Sequence, residues 1–221
     1  MAEGTRVRVA IVDHGAGNLV SIGQGLEAVG ARGWIATEPE AFDGADLLVL
    51  PGVGAAAPAM ARLHARGLVD PIRAWIAADR PFLGICLGLQ LLFETSEEDG
   101  ATTIGVLPGR TVPLTGAPTL PHIGWNQVER RRDHPAFDGI EDGADFYFVH
   151  SYIVCPDVAA SAIVIAETVH GERFVSAIGV GNCLGLQFHP ERSGTDGLRV
   201  LANVVHLAAA SRGLPNAVGV A

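Results

Sequence analysis

The chain has no lysine; all fifteen of its basic residues are arginine. That absence removes Schiff-base chemistry, a pyridoxal phosphate anchor and a phosphate-loop lysine. Cysteine is scarce as well. Cys86, Cys155 and Cys183 are odd in number, widely spaced and without a C-x-x-C pair, so neither a disulfide framework nor a zinc site is expected. No His, Asp or Glu cluster has metal-ligand spacing, and the reading includes no metal and no cofactor. No basic run is longer than Arg130-Arg131-Arg132, and the net charge is −9, which argues against nucleic acid or an anionic membrane as partner. No apolar run reaches membrane-spanning length, and the first residues carry no signal-peptide core. A soluble, cytoplasmic protein is expected.

What is present is a globular composition, 48% hydrophobic and 18% charged over 221 residues. One domain over 1–221 is the simplest account, with a core at about 7–210 and a loose tail at 213–221. The first hundred residues alternate strand and helix patterns. Val7–Val12 is β-branched and runs into a glycine loop, followed by a helix to about Val29 that Gly30 closes. The loop lacks the third glycine of a dinucleotide site, because Val20 stands there. A short strand at Trp34–Ala36 and a buried strand at Asp46–Leu50 follow, then helices at about Ala55–Arg66 and Leu68–Ala78. This alternation predicts an α/β fold: an open, mostly parallel sheet with helices on both faces. After Gly100 come short strand-like pieces, at Thr102–Leu107, Thr111–Leu114, Ile123–Val128, Asp145–His150, Ala162–Glu167, Phe174–Ile178 and Cys183–Phe188. They predict a mixed or antiparallel extension. A helix at about Thr195–Ala210 ends the regular structure, with Leu198, Leu201, Val204 or Val205, and Ala208 on one face.

The chemistry centres on Gly84-Ile85-Cys86-Leu87-Gly88. An apolar strand ends in a cysteine between two glycines, and an apolar stretch that reads as a buried helix follows. This is the strand–nucleophile–helix turn of the G-x-S-x-G pattern, with sulfur for hydroxyl. The glycines suit strained backbone and close approach of strand to helix. The helix start would aim N–H groups and its positive end at the sulfur, favouring thiolate. The plain alternative is a buried structural cysteine.

A nucleophilic cysteine needs a base, an orienting group and oxyanion donors. Gln187-Phe188-His189-Pro190-Glu191 offers the first two. In extended chain, residues i and i+2 project to one side, so Glu191 could hold one nitrogen of His189 and leave the other for Cys86. Pro51-Gly52-Val53-Gly54 closes a buried strand at the carboxyl edge of the sheet, where such sheets bind ligands. Its N–H groups and that of Leu87 could hold an oxyanion. Phe146 and Phe148 read as core, and His150-Ser151-Tyr152 as a pocket wall. Ser96–Asp99 is an acidic loop that could fold back over the pocket. His64, His134, His170 and His206 are given no role.

Gly-Ile-Cys86-Leu-Gly-Leu-Gln, with Gln-Phe-His189-Pro-Glu191 a hundred residues later, resembles the class I glutamine amidotransferases. Leu50–Gly54, Gln90–Glu94 with Ser96–Glu98, Pro121–Asn126, Phe148–Tyr152 and His189–Gly194 are similar to one branch of that family, the glutaminase subunits of imidazole glycerol phosphate synthases. The resemblance spans roughly 7–210. It implies that Cys86 attacks the carboxamide of L-glutamine, that Val53 and Leu87 N–H groups hold the oxyanion, and that His189, oriented by Glu191, carries the protons. It implies that Gly52, Gln90, Glu98, Ser151 and Tyr152 hold the substrate. It further implies a heterodimer with a (β/α)₈ cyclase subunit, with Asn18, Trp125, Asn126 and Arg192 near the interface. Two positions depart from the usual pattern: Arg192 stands where lysine is common, and His14 alters the first loop. The other readings are a sibling glutaminase serving pyridoxal phosphate or anthranilate synthesis, a non-catalytic subunit with a vestigial pocket, and a cysteine peptidase on a similar elbow. A peptidase should carry histidine just after the cysteine, where this chain has Leu87.

Overall fold

The computed structural model describes residues 6–211; the tail expected at 213–221 lies outside the described residues. In β1 (Arg8–Val12) the side chains alternate between two cores. Val9 and Ile11 pack on one side of the sheet, Ala10 and Val12 on the other. That is the pattern of a strand covered on both faces. The covering helices are α1 (Leu19–Ala28), which precedes β2 (Arg32–Ala36), and then, after β3 (Leu47–Gly52), α2 (Ala56–Ala65) and α3 (Val69–Ala77). The next strand, β4 (Phe82–Cys86), is buried throughout. It leads into α4 (Leu87–Gln90) and the short strands β5 (Thr95–Ser96) and β6 (Ala101–Thr102). The second half supplies β7 (Gly109–Pro113), β8 (His122–Arg130), β9 (Ala144–His150), β10 (Tyr152–Pro156), β11 (Val164–His170), β12 (Glu172–Val180), β13 (Cys183–Leu186) and α5 (Gly194–Ser211).

One nine-stranded sheet runs β2-β1-β3-β4-β13-β12-β11-β8-β9, and a four-stranded sheet runs β10-β7-β5-β6. β2, β1, β3, β4 and β13 are mutually parallel. From β13 outward the pairing is antiparallel. The α/β class, the flanking helices and the mixed antiparallel extension agree with the sequence, and most of that extension continues the central sheet. The β12–β13 hairpin inserts its second strand beside β4, and so welds the antiparallel half onto the parallel one.

Four local expectations change. The buried helix after Cys86 is a single turn, because Leu92 and Phe93 donate to Leu89 and Gln90 and the chain turns away. Thr102–Leu107 is a strand only at its first residue; Ile104 and Val106 bond back to Leu91 and Leu92 instead. β10 falls where the sequence predicts no strand. In α5 the inward face runs through Gly197, Val200, Leu201, Val204, Val205 and Ala208, while Leu198 is 38% exposed. A Cβ on Gly197 would come within 2.0 Å of the Pro190 carbonyl oxygen. That close approach sets the helix rotation and turns Leu198 outward.

Candidate active site

β3, β4 and β13 are parallel neighbours, so their carboxyl ends share one edge. There Gly52 pairs with Cys86 across β3 and β4. Cys86 has φ +53° and ψ −107°, a conformation side chains rarely adopt. Its glycine neighbours are sterically required: a Cβ on Gly88 would lie 1.7 Å from the Leu50 oxygen, and one on Gly84 2.7 Å from the Gly88 oxygen. The elbow is therefore as the sequence predicted, but its field is not. A one-turn helix has little macrodipole to offer. What remains near the sulfur is the set of first-turn N–H groups, that of Leu87 among them.

His189 lies three residues beyond the end of β13. Its Nδ1 donates to Glu191 Oε1 at 2.8 Å, and the two side chains are only 5% and 6% exposed. The pairing is as expected, but the backbone is not. Pro190–Arg192 forms a 3₁₀ turn, with the proline in its first turn, so the turn and not strand alternation brings the carboxylate to the ring. The His189 backbone is pinned to β9 by its own N–H to Tyr147 O and by Ser193, whose Oγ donates to His189 O and accepts from Tyr147 N–H. Burial works against the imidazolium, but the nearby Cys86 sulfur and Glu191 outweigh it and push His189 up to about 10. Nε2 makes no hydrogen bond of ordinary geometry with any described group; it sits beside the sulfur and is not locked to it.

Two hydrogen-bond chains end at the carbonyl of Tyr152. Gln90 Nε2 donates to it at 2.9 Å and to Gln187 Oε1 at 3.2 Å; Gln187 Nε2 then faces Cys86 Sγ at 3.6 Å. From the other side, His150 Nδ1 lies 3.0 Å from the same oxygen, His122 Nδ1 lies 3.1 Å from His150 Nε2, and Asn126 Nδ2 lies 3.2 Å from His122 Nε2. Because Tyr152 O only accepts, both histidines are neutral with the proton on Nδ1. Burial, with His170 stacked 3.9 Å from His122, pushes His122 down to about 4. Burial, then His122, pushes His150 down to about 3.

A cleft of about 200 Å³ opens over the sulfur. It is lined by Val53, Cys86, Gln90, Glu98, Ser151 and Tyr152, together with Gly54, Ala55, Pro121, Val149 and His150. Gly52 lies just below it, packed on His14: a Cβ on Gly52 would come within 2.6 Å of His14 Nε2. The acidic loop does fold back. Asp99 accepts from Ala57 N–H at 2.6 Å, while Glu98 reaches the Ala56 N–H. Burial and then Asp99 raise the Glu98 carboxyl above its usual range. Clefts of about 350 and 430 Å³ elsewhere contain no such constellation. Cys183, in the larger of them, is pushed by burial up to about 12 and stays a thiol.

Of the four outer residues, Trp125 is 57% exposed and meets Tyr147 edge-on, while the Arg192 guanidinium lies 4.0 Å over the Tyr147 ring. These two form one patch. Asn126 turns inward, to His122 and to Val169 O at 3.0 Å. Asn18 caps α1 by accepting from Ser21 N–H at 3.0 Å. Sequence reasoning assigned nothing to Gln187 or Ser193. Gln187 stands two residues before His189, so the same alternation argument could have found it.

An elbow cysteine backed by an enclosed His–Glu pair, at the carboxyl edge of a mixed sheet, defines an α/β protein equipped for nucleophilic acyl transfer. The glutamine amidotransferase class-I family model matches residues 10–207. The imidazole glycerol phosphate synthase subunit HisH of Symbiobacterium thermophilum is 46% identical over 89% of this chain and 92% of that relative. The same subunit from a Synechococcus strain is 46% identical over 96% of this chain and 98% of its own. Among solved structures, a glutamine amidotransferase superposes with TM-score 0.72 at 17% identity, over 91% of this chain and 98% of that one. PurLQS from Thermotoga maritima gives 0.71 at 20% identity, over 91% and 99%. The chain belongs to the class-I glutamine amidotransferase family and, within it, to the HisH subunits of imidazole glycerol phosphate synthase.

Proposed function

We propose that this chain hydrolyses L-glutamine to glutamate and ammonia and passes the ammonia to a (β/α)₈ cyclase subunit, which makes imidazole glycerol phosphate and aminoimidazole carboxamide ribotide for histidine biosynthesis. One observation carries the reading: strained Cys86, the His189–Glu191 pair and a 200 Å³ cleft meet at one sheet edge. The Cys86 sulfur attacks the side-chain carboxamide carbon. The oxyanion is held by N–H groups of Val53 and Leu87. His189 gives its proton to the departing nitrogen, which leaves as ammonia, and a γ-glutamyl thioester remains. Water, losing a proton to His189, attacks that thioester; the C–S bond breaks, its electron pair returns to sulfur, and glutamate is released. Gly52, Gln90, Ser151 and Tyr152 shape the glutamine site. Glu98, a carboxylate whose charge burial disfavours, gains from the substrate ammonium.

The partner reading is supported by an exposed apolar patch, with Leu120 at 52%, Ile123 at 59% and Trp125 at 57%. It adjoins the exposed Arg192, whose fork differs from lysine's point charge. Asn18 and Asn126 would act there through the loops they brace. Glutamate release measured with and without the cyclase and its ligand tests the whole reading. Slow release by the chain alone, accelerated by the complex, is expected. No release under either condition would overturn it.

A further inference from the structure

Gln187 is 0% exposed and its carboxamide is oriented by its neighbours. The Tyr152 carbonyl can only accept, so Gln90 must present Nε2 to it. The second Gln90 hydrogen goes to Gln187 Oε1, which leaves Gln187 Nε2 as the end that faces Cys86 Sγ at 3.6 Å. The sulfur also lies 3.8 Å from the Val149 carbonyl oxygen. That carbonyl suits a thiol, whose S–H donates to it. It disfavours a thiolate, which would meet its lone pairs. Gln187 does the reverse: its N–H gains most when the sulfur is charged, since hydrogen bonds to ions are about twice as strong as neutral ones. His189 also favours the thiolate, but it must surrender its proton to the leaving ammonia. The Gln187 N–H never leaves.

We propose that Gln187 is a catalytic residue that holds the sulfur anion twice: before attack on glutamine, and again when water attacks the thioester and the C–S electron pair returns to sulfur. The inference rests on the glutaminase reading for its second half only. Gln90 makes the donor depend on the substrate pocket, because the same side chain lines the cleft and fixes the Gln187 amide.

Alkylation of Cys86 by iodoacetamide, followed by mass spectrometry of its own peptide against pH, isolates the first half without glutamine. In Gln187→Leu and in Gln187→Met, which keeps the length, the rate at neutral pH should fall about tenfold or more, the loss of one hydrogen bond to a charged group. The rising limb of the pH profile should move upward, and the glutaminase kcat should fall with little change in KM. An unchanged alkylation rate and profile in either folded variant overturns the proposal. In the unsubstituted chain, the Gln187 side-chain amide resonances should shift on alkylation of Cys86. Absence of that shift overturns it even if neither variant folds. Loss of the glutaminase reading, by contrast, would show as an unsubstituted chain with no glutamate release whose Cys86 is still alkylated faster than in the Gln187 variants.

Discussion

Glu191 holds His189 through a single 2.8 Å contact inside an almost closed space, with both side chains about 5% exposed. A charge so enclosed is poorly screened. The pair therefore sets both the aim of the ring and its affinity for a proton.

Glu191→Gln keeps the shape and removes the charge. His189 loses one of the groups that push it up to about 10, and the ring loses its preference for the tautomer that presents Nε2 to the sulfur. Glutaminase kcat should fall about a hundredfold or more, in line with the loss of an orienting carboxylate elsewhere. Steady-state rates across pH check this; an unaltered kcat would remove Glu191 from the machinery.

Cys86→Ala should abolish glutamine hydrolysis and spare synthesis from free ammonia by the partner. Cys86→Gly should do the same with a further effect. Glycine tolerates φ +53°, so this variant should be more stable than Cys86→Ala by about 1 kcal/mol. Urea unfolding of the two variants measures the difference. Equal midpoints would mean that the elbow stores no strain.

Two glycines should respond in opposite directions. Gly88→Ala puts a methyl 1.7 Å from the Leu50 oxygen, which backbone cannot yield cheaply, and should cost about 3 kcal/mol or more. Gly23→Ala in α1 meets nothing closer than 3.9 Å and should stabilise by about 0.5–1 kcal/mol through helix propensity and the entropy of the unfolded chain. Thermal or urea midpoints decide both.

The candidate nucleophile and its candidate base were legible because each needs a local pattern. Cys86 needs flanking glycines for contacts with Leu50 and Gly88, and His189 needs a carboxylate within one turn. The parallel half of the sheet was legible for the same reason, since β3 and β4 are continuous apolar runs. What stayed hidden depends on long-range register. The insertion of β13 beside β4, the meeting of Gln90 with Gln187, and the cluster of His122, His150 and His170 join segments that carry no mutual signal in the chain. His150 reads from sequence as a pocket wall and does line the cleft, while His170 is given no role there; pairing of β8 with β9 and β11 brings both against His122 as well.

That cluster makes stability depend on acid. In the unfolded chain His122 and His150 titrate near 6.5; in the folded chain they titrate near 4 and near 3. Between these limits the unfolded chain binds more protons, so unfolding free energy falls as pH falls. The stabilisation is fully present above 6.5, and each site removes at most about 1.4 kcal/mol per pH unit below it. His189 works in the other direction. Raised to about 10, its contribution is complete below 6.5 and is lost as pH climbs toward 10. Stability should therefore peak near neutrality and decline on both sides. Urea unfolding from pH 4 to 10 gives the curve. His122→Gln, which retains hydrogen bonding without a titrating ring, should make the acid limb shallower and leave the alkaline limb, and Glu191→Gln should make the alkaline limb shallower and leave the acid one. If His122→Gln leaves the acid limb as steep as before, the histidine chain is not its origin.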